Sequence, residues 1–238
     1  MSAAPTAARA RAVTFDAGQT LVELDTAMLS RRLAERGLDV EVAALEAAQA
    51  PAWRRYEQVV KDGGHEAPWQ LFMRTLLEGA GVAADGATPL AAWLWGEQPT
   101  KNLWRRPIPG MFELAAELTA RGVPVGILSN SEGKLAELID EIGWSAPFRV
   151  IVDSGKLGVA KPDRAIFEHA ARALGVATAE VVHIGDSRTA DIDGARAAGM
   201  RAIWFGAAAR ERPEDGAEVA IAADAGAVRA ALVRWGLA

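Results

Sequence analysis

The chain has 238 residues, half of them hydrophobic, which suits one large domain or a core domain that carries an insertion. The formal net charge is −5 at pH 7 and no stretch is strongly basic, so a nucleic acid is not expected as a partner. The absence of cysteine excludes disulfides, zinc–thiolate sites and thiol catalysis, and no apolar run approaches the roughly 20 residues of a membrane span. We therefore expect a protein of the reducing cytoplasm that has no membrane partner.

The first element in the chain is a short apolar strand, AVTF, which runs directly into Asp16. Apolar residues then recur at helical spacing in four stretches, until Pro107-Ile108-Pro109-Gly110 breaks the pattern. This pattern predicts an all-helical insertion over residues 22–106. The insertion interrupts an α/β core that is formed by residues 1–21 and 107–238.

From Met111 onwards, apolar strands alternate with amphipathic helices. The strands are predicted at residues 123–128, 149–152, 181–184 and 202–205. Such alternation is typical of a mainly parallel sheet with helices on both faces. The predicted fold is therefore α/β, a doubly wound, Rossmann-like parallel sheet with an inserted all-helical domain.

Two of the predicted strands end in an aspartate, Asp16 after the first strand and Asp186 after VVHIG. The carboxyl ends of strands in an open α/β sheet are where such folds present groups to a ligand. A carboxylate next to a packed strand is costly unless it is paired or bound to a cation. The two aspartates could hold one Mg²⁺ between them and leave one carboxylate free to attack phosphorus.

Four motifs in the same order resemble those of the haloacid dehalogenase superfamily, which includes many phosphatases, and they cover nearly the whole chain. The motifs are Asp16-Ala17-Gly18-Gln19-Thr20-Leu21, Ile127-Leu128-Ser129-Asn130, the segment 154–167 around Lys161-Pro162, and Gly185-Asp186 with Asp191. This family places a helical cap between the first motif and the second strand, where the insertion lies. The resemblance therefore implies that residues 22–106 form a cap domain.

The resemblance also implies roles for the residues that match the motifs. Asp16 corresponds to the nucleophile that becomes transiently phosphorylated, and Lys161 to the lysine that neutralises the nucleophile and the phosphate. Phosphoryl oxygens are expected on Ser129, the backbone N–H of Asn130, and Thr20.

A Mg²⁺ cofactor is implied by the same resemblance. Its expected ligands are Asp16, the backbone carbonyl of Gly18 and Asp186, and Asp191 is expected to support the water shell of the metal. Magnesium favours carboxylate oxygens and keeps several waters, so few protein ligands suffice.

The first motif departs from the pattern of the phosphatases in this family. They carry a second aspartate two residues after the nucleophile as general acid and base, where this chain has Gly18; Gln19 also replaces a usual glycine. A glycine still supplies the backbone carbonyl to the metal. We therefore expect a retained metal site without the proton donor, and an activity that is weak or restricted to good leaving groups.

The expected function is Mg²⁺-dependent hydrolysis of a small phosphorylated metabolite through an aspartyl-phosphate at Asp16. One alternative is a catalytically weak member that binds a phosphorylated ligand as a sensor or partner, which Gly18 supports. A second is a hydrolytic dehalogenase, but such relatives usually have a tyrosine in place of Gly18 and do not need the metal residues Asp186 and Asp191. A third is a C–P bond hydrolase that uses a cap lysine, for which Lys61 is a candidate.

Other conspicuous residues are expected to be structural. His183 lies within a buried strand pattern and is interpreted as a neutral core histidine rather than a base. Asp193 is interpreted as structural, and most of the insertion's tryptophans as packing between its helices.

Overall fold

The computed structural model describes residues 9–61, 68–206 and 218–237. The chain divides into two compact units, one formed by Met1–Glu23 and Trp104–Ala238 and the other by Leu24–Leu103. Within the described residues, no helix combines the length and the apolar character that crossing a lipid bilayer requires.

The first unit is built on a six-stranded sheet in which all neighbouring strands are parallel. Its strands are β1 (Ala12–Phe15), β4 (Val125–Ser129), β5 (Val150–Asp153), β6 (Val181–Gly185), β7 (Arg201–Phe205) and β8 (Val219–Ala222). They lie in the order β5-β4-β1-β6-β7-β8. The chain thus starts in the middle of the sheet and winds outwards in both directions, which confirms the predicted doubly wound α/β fold.

Helices cover both faces of this sheet. They are α5 (Met111–Ala120), α6 (Leu135–Glu141), α7 (Ser154–Leu157), α8 (Arg164–Leu174), a 3₁₀ turn (Thr178–Glu180), a π-helical turn (Arg188–Asp193), α9 (Gly194–Ala197) and α10 (Ala225–Arg234). Successive strand residues point to opposite faces, so Val13 and Phe15 belong to one hydrophobic cluster and Ala12 to another. The first cluster includes α5, α6 and α10, and the second includes α8 and α9.

The second unit is helical. Its helices are α1 (Thr26–Ala34), α2 (Val42–Lys61), α3 (Pro68–Gly79) and α4 (Ala84–Glu97). As expected, tryptophans pack between these helices: the ring of Trp53 on α2 lies 4.1 Å from that of Phe72 on α3. The side chain of Lys61 lies outside the described part of the structure.

The ends of the predicted insertion are strands rather than helix. β2 (Val22–Leu24) and β3 (Trp104–Pro107) pair in a separate two-stranded sheet. Segments of three and four residues are too short to show the alternation of apolar and polar residues that indicates a strand. The two strands are also far apart in the sequence, and the stretch between them has a helical pattern, so neither strand was predicted. β8 and α10 were likewise not predicted from the sequence.

Candidate active site

The candidate site residues gather where three central strands end. Asp16 follows β1, Ser129 is the last residue of β4, and Asp186 follows β6. β1 lies between β4 and β6, with Phe15 level with Ile127 on one side and with Ile184 on the other. The carboxyl ends of the three strands therefore meet at one edge of the sheet, where open α/β folds bind ligands.

The carboxylate of Asp16 is buried and receives two hydrogen bonds on the same oxygen. Its Oδ1 accepts from the Ser129 hydroxyl at 2.8 Å and from the Lys161 ammonium at 2.6 Å. Burial raises the pKa of Asp16, while the charge of Lys161 opposes this rise. The backbone N–H of Asp16 donates to the carbonyl of Ile184 at 2.7 Å, which fixes the residue against β6.

Lys161 is almost fully enclosed, with 3% of its side chain exposed. Its Nζ donates to Asp16 Oδ1 at 2.6 Å, to Asp191 Oδ1 at 2.5 Å and to the carbonyl of Leu128 at 3.0 Å. An ammonium has three N–H donors, so each has an acceptor. Burial disfavours the charge, but the two carboxylates outweigh it and raise the pKa of Lys161, so that this residue is a cation at neutral pH.

Asn130 holds the main chain of Lys161 through its side chain. The Asn130 Oδ1 accepts from the Lys161 N–H at 2.8 Å, and the Asn130 Nδ2 donates to the Lys161 carbonyl at 3.0 Å. Sequence reasoning considered only the backbone N–H of Asn130. A paired contact between residues 31 positions apart leaves no periodic signal in one sequence.

Asp191 lies on the π-helical turn, and both its oxygens are occupied by protein donors. Oδ1 accepts from Lys161 and from His183 Nε2 at 3.1 Å, and Oδ2 accepts from the Ser187 N–H at 2.9 Å. Burial opposes ionisation, but Lys161 and His183 outweigh it and lower the pKa of Asp191. Gly185 makes this placement possible, because a Cβ at that position would overlap the Asp191 carboxylate.

His183 is fully buried, as its strand pattern predicts, but it is also joined to the site. Its Nδ1 lies 2.9 Å from the Thr14 hydroxyl and its Nε2 contacts Asp191. Sequence reasoning missed this contact, which the spacing of a strand and the following turn does not reveal. Asp193, by contrast, is exposed and pairs with Arg188 at 3.0 Å, in keeping with a structural role.

Three carboxylates form an acidic cluster at this edge: ligand oxygens of Asp16, Asp186 and Asp191 lie within 4.8 Å of one another. Burial, together with the charges of Asp16 and Asp191, raises the pKa of Asp186 well above its ordinary value. A cation would relieve this repulsion, and carboxylate oxygens are the donors that Mg²⁺ prefers. Because the Asp191 oxygens already accept protein hydrogen bonds, Asp16 and Asp186 are the carboxylates that fit direct binding of Mg²⁺.

The turn after Asp16 leaves room where the expected second aspartate is missing. Gly18 is outside the positive-φ region, and a Cβ built on it meets only the Trp104 ring, at 3.8 Å. Neither backbone conformation nor space therefore requires glycine at this position. Gln19, with a φ of 56°, is the one non-glycine residue with positive φ in the described chain.

Thr20, expected to bind phosphoryl oxygens, is fully buried in this turn. Within residues 9–61, 68–206 and 218–237, neither the Thr20 hydroxyl nor the Gln19 amide nitrogen has a hydrogen-bond partner. The structure thus brings together Asp16, Ser129, Lys161, Asp186 and Asp191, whereas it shows no polar contact of the Thr20 side chain with them.

A doubly wound parallel sheet with an aspartate–lysine cluster at its carboxyl edge defines the class of this protein, a Rossmann-like α/β fold with a site centred on carboxylates. Comparison with known families narrows the class. The model of the haloacid dehalogenase-like hydrolases matches residues 10–199, and the chain therefore belongs to this hydrolase family.

Individual relatives agree with this assignment. The chain is 31% identical over 195 residues to a glyceraldehyde 3-phosphate phosphatase of Methanopyrus kandleri, covering 80% of this chain and 81% of that one. It is 35% identical over 143 residues to a phosphoserine phosphatase of Thermus thermophilus, an alignment that spans 60% of this chain and 55% of the relative. The magnesium-bound crystal structure of the HAD-hydrolase YfnB from Bacillus subtilis shares the fold, with a TM-score of 0.70 at 20% identity over 94% of this chain and 99% of that one.

Proposed function

We propose that this protein is a Mg²⁺-dependent phosphatase of a small phosphorylated metabolite, and that Asp16 carries the phosphoryl group between the two halves of the reaction. One observation carries the proposal: the buried Asp16 carboxylate is held by Lys161 and Ser129 inside an acidic cluster at the carboxyl edge of the sheet. The similarity to two phosphatases supports it.

In the first step, an oxygen of Asp16 forms a bond to phosphorus, and the bond between phosphorus and the leaving oxygen breaks. The bonding electrons depart with the leaving group. A carboxylate is already ionised when it attacks, so this step needs no separate base. Lys161 and the Ser129 hydroxyl both contact Asp16 Oδ1, and from there they would stabilise negative charge on the phosphoryl group. Such fixed electrostatics supply most of the catalysis in phosphoryl transfer.

The residues that would hold Mg²⁺ are Asp16, the Gly18 carbonyl and Asp186, with Asp191 supporting its water shell. A bound Mg²⁺ would neutralise charge on the phosphoryl oxygens. Asp191 also accepts a hydrogen bond from Lys161 at 2.5 Å. It would therefore help to position Lys161 in addition to supporting the water shell of the metal.

In the second step, water attacks the phosphorus of phosphorylated Asp16, which restores the carboxylate and releases inorganic phosphate. Gly18 offers no side chain to protonate the leaving oxygen in the first step or to deprotonate water in the second. We propose that the protein therefore favours substrates whose leaving group departs readily as an anion, such as aryl or acyl phosphates. A positioned general acid typically raises the rate by about 10²–10⁴-fold. Its absence should therefore slow the hydrolysis of alkyl phosphates most.

We further propose that the helical unit acts as a substrate-selecting cap. The proposal is supported by the position of this unit in the chain, between the first and second motifs, where the resemblance to the superfamily implies a cap. Deleting or exchanging this unit should change which phosphates are hydrolysed rather than whether phosphate is released.

The proposal is tested by screening phosphorylated metabolites for phosphate release with and without Mg²⁺, with phosphoserine and glyceraldehyde 3-phosphate among them. Mg²⁺-dependent release that Asp16→Asn abolishes would support the phosphatase. Binding of phosphorylated compounds without release would favour the sensor instead. Halide release from 2-haloacids without Mg²⁺, or cleavage of phosphonates, would replace the proposal with one of the other two activities.

A further inference from the structure

His183 is the buried side chain that joins the sheet to the candidate site. Its ring is fully buried and lies with its edge against Phe167, the two ring centroids being 5.4 Å apart. Nδ1 faces the Thr14 hydroxyl at 2.9 Å, and Nε2 faces Asp191 Oδ1 at 3.1 Å. Both ring nitrogens are therefore engaged, as buried polar atoms require, and one of the two partners is a carboxylate of the candidate site.

The two partners assign the proton positions on this ring. Asp191 is ionised and can only accept, so the Nε2 of His183 carries the proton that faces it. The Thr14 hydroxyl then donates to Nδ1.

Asp191 Oδ1 is shared between His183 and Lys161. The Lys161 ammonium lies 2.5 Å from this oxygen and 2.6 Å from Asp16 Oδ1. The position of Lys161 against Asp16 thus depends on where Asp191 Oδ1 is held. Among the residues that the structure describes, the other oxygen of Asp191 accepts only from the N–H of Ser187, the residue directly before its turn. His183 holds the shared oxygen directly from β6, while Lys161 is held to β4 through the carbonyl of Leu128.

We propose that His183 is a positioning residue for phosphoryl transfer, which fixes Asp191 so that Asp191 keeps Lys161 against Asp16. The inference rests on the proposed function, because its effect is exerted on the reaction at Asp16. His183 itself touches neither Asp16 nor the substrate in this scheme, so it acts through Asp191.

Two substitutions that should destabilise the fold by similar amounts distinguish a positioning role of His183 from a packing role. In His183→Gln, the amide nitrogen stands as many bonds from Cβ as Nε2 does and can still donate to Asp191. In His183→Asn, the amide is one bond shorter, so it can reach towards Thr14 but not towards Asp191. Both variants lose the imidazole ring against Phe167, and both bury one amide.

The experiment measures kcat and KM for para-nitrophenyl phosphate with Mg²⁺, thermal unfolding, and the imidazole ¹⁵N spectrum of the unsubstituted protein. We expect His183→Gln to retain most of kcat. His183→Asn should lose about 10–100-fold in kcat with little change in KM, as is typical when a supporting hydrogen bond to a functional group is removed. The two variants should unfold at similar temperatures, and the ¹⁵N spectrum should show a proton on the Nε2 of His183, which faces Asp191.

Equal kcat losses in the two variants, or none in either, would overturn the positioning role while leaving the phosphatase intact. A His183 protonated on Nδ1 alone would overturn it as well, because Asp191 would then have no donor on that ring. If the unsubstituted protein releases no phosphate from any phosphorylated compound, the proposed function itself fails, and the positioning role fails with it.

Discussion

The two sides of the candidate site differ in how completely they are built. Around Lys161, every N–H of the ammonium has an acceptor, and Asp191 has protein donors on both oxygens. In the turn after Asp16, the aspartate expected at Gly18 is missing, and polar atoms of Gln19 and Thr20 are buried without partners among the described residues. In the proposed mechanism, charge stabilisation and proton transfer would therefore belong to separate parts of this site, so that one could be retained while the other is lost.

The largest effect is expected from Asp16→Asn, which removes the proposed nucleophile on the Lys161 side of the site. An amide cannot attack phosphorus as a carboxylate does, so phosphate release should fall by about 10⁴-fold or more. The measurement is turnover of para-nitrophenyl phosphate with Mg²⁺, with mass spectrometry to detect phosphorylated Asp16 in the unsubstituted protein. Asp193→Asn is the matched control, because that carboxylate is exposed and pairs with Arg188. Near-normal turnover of Asp16→Asn would mean that another group attacks.

The next largest effect is expected from Lys161→Met, which keeps the unbranched part of the side chain and removes its charged end group. Loss of this fixed charge should lower kcat by about 10²–10³-fold. Asp16 and Asp191 would be left facing each other without a cation, which should destabilise the fold by about 3 kcal/mol at neutral pH.

This loss of stability has a defined pH dependence, measured by denaturant unfolding. The lowered pKa of Asp191 means that its contribution is present above the unfolded-state pKa and disappears as the pH falls. The difference between the unsubstituted protein and Lys161→Met should therefore shrink on acidification, as the carboxylates become protonated. A difference that grew on acidification would contradict the pairing described for Lys161.

A smaller effect is expected from Asp186→Asn, which tests the proposed Mg²⁺ site at Asp16 and Asp186. Removal of one charged oxygen ligand should weaken Mg²⁺ binding by about 10-fold or more, as measured by calorimetry. In the unsubstituted protein, Mg²⁺ affinity should fall as the pH falls, because the raised pKa of Asp186 lets a proton compete with the cation. Unchanged Mg²⁺ affinity in Asp186→Asn, with Asp193→Asn as reference, would place the metal elsewhere.

The smallest effect is expected from Gln19→Gly, in the turn after Asp16. Glycine tolerates the positive φ and removes the unpaired buried amide, so the free energy of unfolding should rise by about 1 kcal/mol. Gln19→Ala is the control, since alanine removes the amide but keeps the backbone penalty. If both variants are equally stable, the conformation at Gln19 is not strained.

The parallel sheet and the place of the candidate site on it were largely predictable from the sequence. Strands that run into Asp16 and Asp186 predicted an active edge of a parallel sheet, because the strand pattern and the terminal carboxylate are both local signals. The alternation after Met111 predicted the doubly wound fold for the same reason. Gly18 was recognised from the sequence as the position that breaks the first motif.

Contacts between distant side chains were not predictable. The Asn130 side chain on the Lys161 backbone, and His183 on Asp191, depend on how strand ends and turns meet in three dimensions. The π-helical turn that aims Asp191 at Lys161 has no signature in one sequence. Strands β2 and β3 were hidden because each is short and lies next to a strongly helical pattern.

The contrast between the two sides is tested most directly by a leaving-group series on the unsubstituted protein, Gly18→Asp and Gly18→Asn. The space at Gly18 admits a side chain, and its backbone does not need glycine, so both variants are expected to fold. The unsubstituted protein should hydrolyse aryl phosphates far better than alkyl phosphates. Gly18→Asp should raise alkyl turnover by up to about 10²–10⁴-fold, while Gly18→Asn, which has the same shape but no acid, should not. Alkyl phosphates hydrolysed as fast as aryl phosphates by the unsubstituted protein would show that another group already donates the proton, and would contradict this account.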